Sequence, residues 1–140
     1  MSTLVMMLLV VQVVGGAYLF GAVSTAGASF STARATRLPP LLVFGHAMLG
    51  LAAPTLWIGW MVTRADPMVW VTLGSLLLSI AGGIVMLSRT AGHSATLERP
   101  ATDPADVAVV EKQIPKPVLA GHGLLAAVLV ACVVAVGLGV

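Results

Sequence analysis

Charge is scarce in this chain: Asp, Glu, Lys and Arg make up 9% of its 140 residues, while apolar residues make up 59%. Ordinary globular domains carry about 25% charged and about 45–50% apolar residues. So few charges cannot cover a surface in water, which excludes a soluble domain and makes lipid the natural solvent. The net charge of +2 is small, and the five Arg and two Lys behind it lie scattered in loops. Without a basic patch, nucleic acid is excluded as a partner.

Cysteine is almost missing as well. Cys132 stands alone among Ala and Val, so no intramolecular disulfide can form, and it reads as a small apolar filler. The Cys-x-x-Cys-His sequence is absent, which excludes covalent c-type haem attachment through it. Nucleotide fingerprints, Gly-rich phosphate loops and catalytic triads are absent too, so two-electron substrate chemistry by this chain alone is not expected. The apolar runs hold no Asp or Glu, which disfavours a proton-coupled exporter, since no carboxylate is available to exchange a proton.

What the chain does have is four long apolar runs, at about 4–23, 39–63, 68–88 and 117–139. At 1.5 Å per residue each can cross a hydrocarbon core of ~30 Å. They predict an all-α integral membrane protein, a four-transmembrane-helix bundle forming one domain over 1–140. The first run has no Lys or Arg before it and is too long for a signal peptide, so it reads as a retained helix. Within it Gly15, Gly16, Ala17 and Gly21 are small enough for another helix to approach closely, and Tyr18 reads as packed.

Pro39-Pro40 starts the second helix, because a first turn has no internal donor to lose. Pro54 lies inside that helix and predicts a kink. Trp57 and Trp60 are expected at the far membrane boundary, where amphipathic rings anchor. The turn through Arg64 and Asp66 is very short, which makes the second and third helices antiparallel neighbours. The only long polar segment is the loop 89–116. Inside it, Asp103-Pro104-Ala105-Asp106 reads as a helix start, and Val107, Val110 and Ile114 recur on one face, predicting a short helix on the membrane surface.

Positive residues set the orientation. Arg34 and Arg37 fall in the first long loop, and Arg89, Arg99, Lys112 and Lys116 in the second; only Arg64 lies on the other side. The expectation is a multi-pass protein of the inner (plasma) membrane, with both long loops cytoplasmic and both termini outside.

The chain also echoes itself. Pro39–Ala52 and Pro115–Val128 share four of fourteen positions, namely Pro39/Pro115, Gly45/Gly121, His46/His122 and Leu49/Leu125. Each half offers a Gly-Gly pair late in one helix, a polar loop (longer in the second half), then a proline-started helix carrying Gly-His. Two repeated helical hairpins, related by a pseudo-two-fold axis along the membrane normal, would produce this order.

His46 and His122 each lie seven residues beyond a proline, at matching depth in the cytoplasmic half of the bilayer. Intramembrane ionisable residues face the bundle interior and mark function. Two imidazoles from facing helices can hold one haem b between them, so His46 and His122 are the candidate metal ligands. Gly45 and Gly121 precede them and leave backbone room for a flat macrocycle, while Arg37, Arg89 and Lys116 lie on the side where propionates would sit. The architecture is similar to that of small membrane-embedded cytochromes b, in which haem lies between histidine-bearing helices. Bare structural histidines, another metal, or a quinone are the competing readings, and His93 reads as a solvated loop residue.

Two functions follow from these readings. The first is a b-type cytochrome or haem-bearing anchor subunit relaying electrons between a quinone pool and a partner redox enzyme. The alternative is a non-redox accessory or assembly subunit of a larger membrane complex. The partners expected for the protein are the lipid bilayer, a quinone, and other membrane or peripheral redox subunits or a second copy of the chain.

Overall fold

The computed structural model describes residues 1–24, 34–35, 38–91, 108–109 and 114–140. They form four helices, α1 (Ser2–Ser24), α2 (Pro40–Thr63), α3 (Pro67–Ala91) and α4 (Lys116–Gly137), with two short strands, β1 (Arg34–Ala35) and β2 (Ala108–Val109). All four helices are long and apolar enough to cross a membrane, and the chain is a multi-pass helical bundle. Pro39 and Pro115 cap α2 and α4 in the same way: the carbonyl of each accepts from the backbone N–H groups three and four residues on, at 3.0 and 3.2 Å. α2 continues through Pro54 as one helix.

Each helix packs on its neighbours in sequence, and α4 closes on α1 to complete a ring. α2 and α4 therefore occupy opposite corners, as do α1 and α3. The α2–α3 hairpin is the tightest pair. Its turn is closed by Arg64 in the left-handed region (φ 56°), whose N–H caps the Trp60 carbonyl at 2.7 Å. Along the hairpin, Ser75 Oγ donates to the Leu49 carbonyl at 2.8 Å, and Ser79 Oγ to the His46 carbonyl at 3.3 Å. In lipid, helices gain little from apolar burial, so close packing and interhelical hydrogen bonds hold them together, at ~0.6 kcal/mol per bond on average.

The exterior is apolar, with Leu41, Val62, Leu124 and Leu78 among its most exposed side chains. The dry core lies toward the turn end, where Val5, Leu9, Ala53, Trp57, Val69, Leu76, Leu129 and Val133 meet from all four helices. Trp57 is completely buried here, and its indole N–H donates to the Ser2 carbonyl at 3.1 Å, at the first residue of α1. Tyr18, expected to be packed, is exposed on the outer surface. A second, smaller cluster of Leu38 and Val43, with Phe20, Met86 and Ile114, closes the loop end.

β1 and β2 join the two long loops at that end as a parallel pair, Arg34 opposite Ala108 and Ala35 opposite Val109. The surface helix expected from 103 onward is therefore not formed at Ala108–Val109; valines favour an extended backbone once a partner strand is present. The remainder of that expected helix, and Arg37, His93, Arg99 and Lys112, lie outside the described residues.

Candidate functional site

The histidines meet between the two clusters. His46 lies six residues into α2 and His122 six into α4, each ~9 Å from its helix start. Because α2 and α4 stand at opposite corners, the two rings approach from opposite sides. Their centroids are 6.2 Å apart with planes at 65°. Both residues are half-buried.

Each ring is received by the same arrangement on an adjacent helix of the bundle, α3 for His46 and α1 for His122. His46 lies over Gly82 and Gly83 of α3: a Cβ on Gly82 would sit 3.6 Å from its Cβ, and one on Gly83 3.3 Å from its Cε1. His122 lies over Gly15 and Gly16 of α1, where added Cβ atoms would sit 3.6 Å from Nδ1 and 3.3 Å from Cε1. Any larger residue at these four positions would take up space at the ring level. Gly16 is eight residues from the end of α1 and Gly83 eight from the end of α3, so the two glycine pairs share one depth.

One polar side chain accompanies each glycine pair, three and four residues earlier and so on the same helix face. On α3 it is Ser79. The Nδ1–H of His46 donates to the Ser79 carbonyl at 2.8 Å, with Ser79 Oγ at 3.2 Å, and the hydroxyl in turn donates to the His46 carbonyl. A carbonyl can only accept, so the proton is on Nδ1 and the Nε2 lone pair is left for another partner. On α1 it is Gln12. Its amide Nε2 donates to the His122 carbonyl and to His122 Nε2, both at 3.2 Å. The carbonyl contact orients the amide, so His122 also carries its proton on Nδ1.

The two half-sites differ in one respect. His46 Nδ1 has a short, strong acceptor, whereas no hydrogen-bond partner among the described residues meets the buried His122 Nδ1 or Gln12 Oε1. Each such orphan costs about 1–3 kcal/mol. Among the described residues no group of three or more His, Cys, Asp or Glu side chains gathers to hold a metal ion, so the site has two imidazole donors.

A Cβ at Gly45, Gly121 or Gly123 would meet nothing within 4 Å, so these glycines face open space and not the rings. Arg89 and Lys116 are exposed at the loop ends of α3 and α4, and Arg37 is outside the described residues. Among the described residues, Gln12, Gly15, Gly16, Ser79, Gly82 and Gly83 line the imidazoles. Their signal is in the sequence: Gln12-x-x-Gly15-Gly16 and Ser79-x-x-Gly82-Gly83 have identical spacing in the first and third helices. The arrangement thus brings together a His46 ring with its proton on Nδ1 and a His122 ring whose Nε2 accepts from the Gln12 amide, carried by helices at opposite corners. Comparison with known proteins adds nothing to this geometry, since no family model, curated protein or solved structure matches the chain.

Proposed function

We propose that His46 and His122 would hold the iron of a single haem b, and that the protein is a membrane-embedded electron-relay subunit. The observation that carries this reading is the pair of imidazoles facing each other across the bundle at 6.2 Å. Two imidazole nitrogens bound to one metal at about 2 Å from opposite sides put their ring centres about 6 Å apart. His46 keeps its proton on Nδ1, so its Nε2 would be the ligating atom, whereas His122 Nε2 would ligate only after giving up its hydrogen bond from Gln12. The glycine pairs on α1 and α3, the other two corners, clear side chains from the layer in which the edges of a flat macrocycle would lie. Haem, when bound, supplies one-electron redox chemistry; the chain supplies two neutral ligands and an uncharged, apolar surround that sets the potential.

Matching half-sites on matching helices support a pseudo-two-fold axis along the membrane normal, relating α1–α2 to α3–α4. Arg89 and Lys116 at the loop end, with Arg37 in the adjoining loop, are the cations for the propionates. Electrons then pass between a membrane quinone and a partner redox subunit docked on the loop side, which the positive residues assign to the cytoplasm of a plasma-membrane protein.

One observation favours the non-redox accessory reading. Gln12 already engages His122 Nε2, and 6.2 Å is also an ordinary edge-on spacing for packed rings. Purification after haem-replete expression separates the two. A Soret band and a sharp reduced α-band, with the low-spin form lost in both His46→Ala and His122→Ala, meet the haem reading. A colourless protein that is otherwise folded supports the accessory subunit and removes the haem.

A further inference from the structure

α2 turns an unusually narrow face outward. Between Leu41 and Val62 its exposed residues are Leu41, Phe44, Met48, Leu51, Thr55, Ile58 and Val62, and no others. The steps alternate three and four, which is the a and d spacing of a coiled-coil seam. A helix face that only fronts lipid is wider: α3 exposes adjacent pairs at Trp70–Val71, Leu77–Leu78 and Ile84–Val85. Midway along the α2 seam lies a concavity of about 350 Å³, lined by Met48, Leu51, Ala52, Thr55 and Leu56. The first four of these stand at i, i+3, i+4 and i+7, the four corners of a hole that takes one knob side chain from a facing helix. Ala52 is the smallest of the four and leaves the hole open. In a parallel pair of such helices the knob at this level is the d residue, which here is Leu51 itself. The seam is therefore complementary to its own copy.

We propose that the protein forms a dimer through α2, with Leu51 of each copy seated in the hole bordered by Met48, Leu51, Ala52 and Thr55 of the other. Copies of one chain insert in one orientation, so α2 meets α2 in parallel about a two-fold axis along the membrane normal. The heptad spacing gives the pair a left-handed crossing. Thr55 brings the one hydroxyl of the seam to that axis. Its proton lies on the Leu51 carbonyl at 3.1 Å, which leaves the oxygen as an acceptor. Across the axis one copy can turn its proton to the oxygen of the other, the kind of polar contact that joins helices in lipid. His46 is bonded to α3 on the inner side of α2, so the dimer does not depend on what the histidine layer binds.

The test uses the full chain with Cys132→Ala, in native membranes, carrying single cysteines and oxidised with copper phenanthroline. Leu51→Cys, Thr55→Cys and Ile58→Cys should each give a disulfide-linked dimer. Their yield should be at least ~5 times that of Leu78→Cys on α3 or Leu124→Cys on α4, which are just as exposed but outside the seam. Ala52→Leu fills the hole and should weaken self-association at least ~10-fold in density-matched sedimentation equilibrium in detergent. Ala127→Leu, on the exposed face of α4, should leave it unchanged. Circular dichroism checks that both variants are helical, and the cross-linking pattern decides the matter if Ala52→Leu fails to fold. A monomeric wild type, or cross-linking no stronger on α2 than on α3 and α4, overturns the inference and leaves the seam to lipid chains. Stronger linking at Leu124→Cys overturns it too and moves the contact to α4, as does an Ala52→Leu variant that associates as tightly as wild type for the hole.

Discussion

Replacing glycines by alanine, one at a time, separates those that serve the histidine layer from those that do not. At Gly45 and Gly121 the new methyl meets nothing within 4 Å, so only the backbone term remains, a gain of up to about 1 kcal/mol for Ala over Gly within a helix. At Gly83 and Gly16 the methyl arrives 3.3 Å from an imidazole Cε1, and the ring must recoil by a few tenths of an ångström. Whether it can recoil sets the sign. The His46 ring is tied by its 2.8 Å bond to the Ser79 carbonyl, and stretching that bond forfeits on the order of 1 kcal/mol on top of the overpacking cost of roughly 1–3 kcal/mol. The His122 ring is held by amide contacts at 3.2 Å only, and yields more easily. Gly83→Ala should therefore be destabilising by about 1–3 kcal/mol net, Gly16→Ala within about 1 kcal/mol of neutral, and Gly45→Ala and Gly121→Ala neutral or stabilising. Reversible unfolding of the purified protein in mixed detergent–SDS micelles, followed by circular dichroism, measures the order. If Gly83→Ala proved as stable as Gly45→Ala, the close seating of His46 on α3 would be wrong.

Three further expectations concern the frame around the site. A methyl at Gly137 would come 3.1 and 3.2 Å from the Trp70 ring and 3.3 Å from Val69 Cγ1, so Gly137→Ala should cost about 1–3 kcal/mol, and Trp70→Leu in the same chain should recover part of it in the same unfolding assay. Arg64 adopts φ 56° and stacks 5.0 Å above Trp60; Arg64→Gly trades relief of about 1 kcal/mol of backbone strain for a lost cation–π contact of similar size and should be near neutral, whereas Arg64→Val should be clearly destabilising. In a Cys132→Ala background, Ser2→Cys should react with an impermeant thiol reagent on intact cells while Ala95→Cys stays protected; the opposite labelling would reverse the orientation drawn from the loop arginines and lysines.

The four spans were legible because each is a long apolar run broken by residues with a physical reason to stop a helix, such as Pro39, Pro115 and the Asp66-Pro67 turn. The equal depth of His46 and His122 was legible for the same reason, as both count from a proline cap. What faces each ring was not. Gly45 and Gly121 are adjacent to the histidines in sequence, but neighbours on a helix point about 100° apart, and these glycines look outward. The residues that do meet the rings come from α1 and α3, and choosing them requires knowing that α4 closes on α1. The repeated polar-x-x-Gly-Gly pattern carried that information, yet the different identities of Gln12 and Ser79 hid its equivalence. Trp57 shows the same limit: its place in the core depends on a carbonyl 55 residues away at Ser2.

The most direct measurement of the central claim counts the histidine nitrogens on the iron. The chain has three histidines, and uniform labelling of them with nitrogen-15 makes each ligated ring nitrogen visible to pulsed electron paramagnetic resonance of the oxidised, purified protein. Two axial nitrogen couplings of histidine origin are predicted, falling to one in either His46→Ala or His122→Ala and unchanged in His93→Ala. A colourless protein, or an iron signal that keeps both couplings when His46 or His122 is replaced, would contradict the assignment.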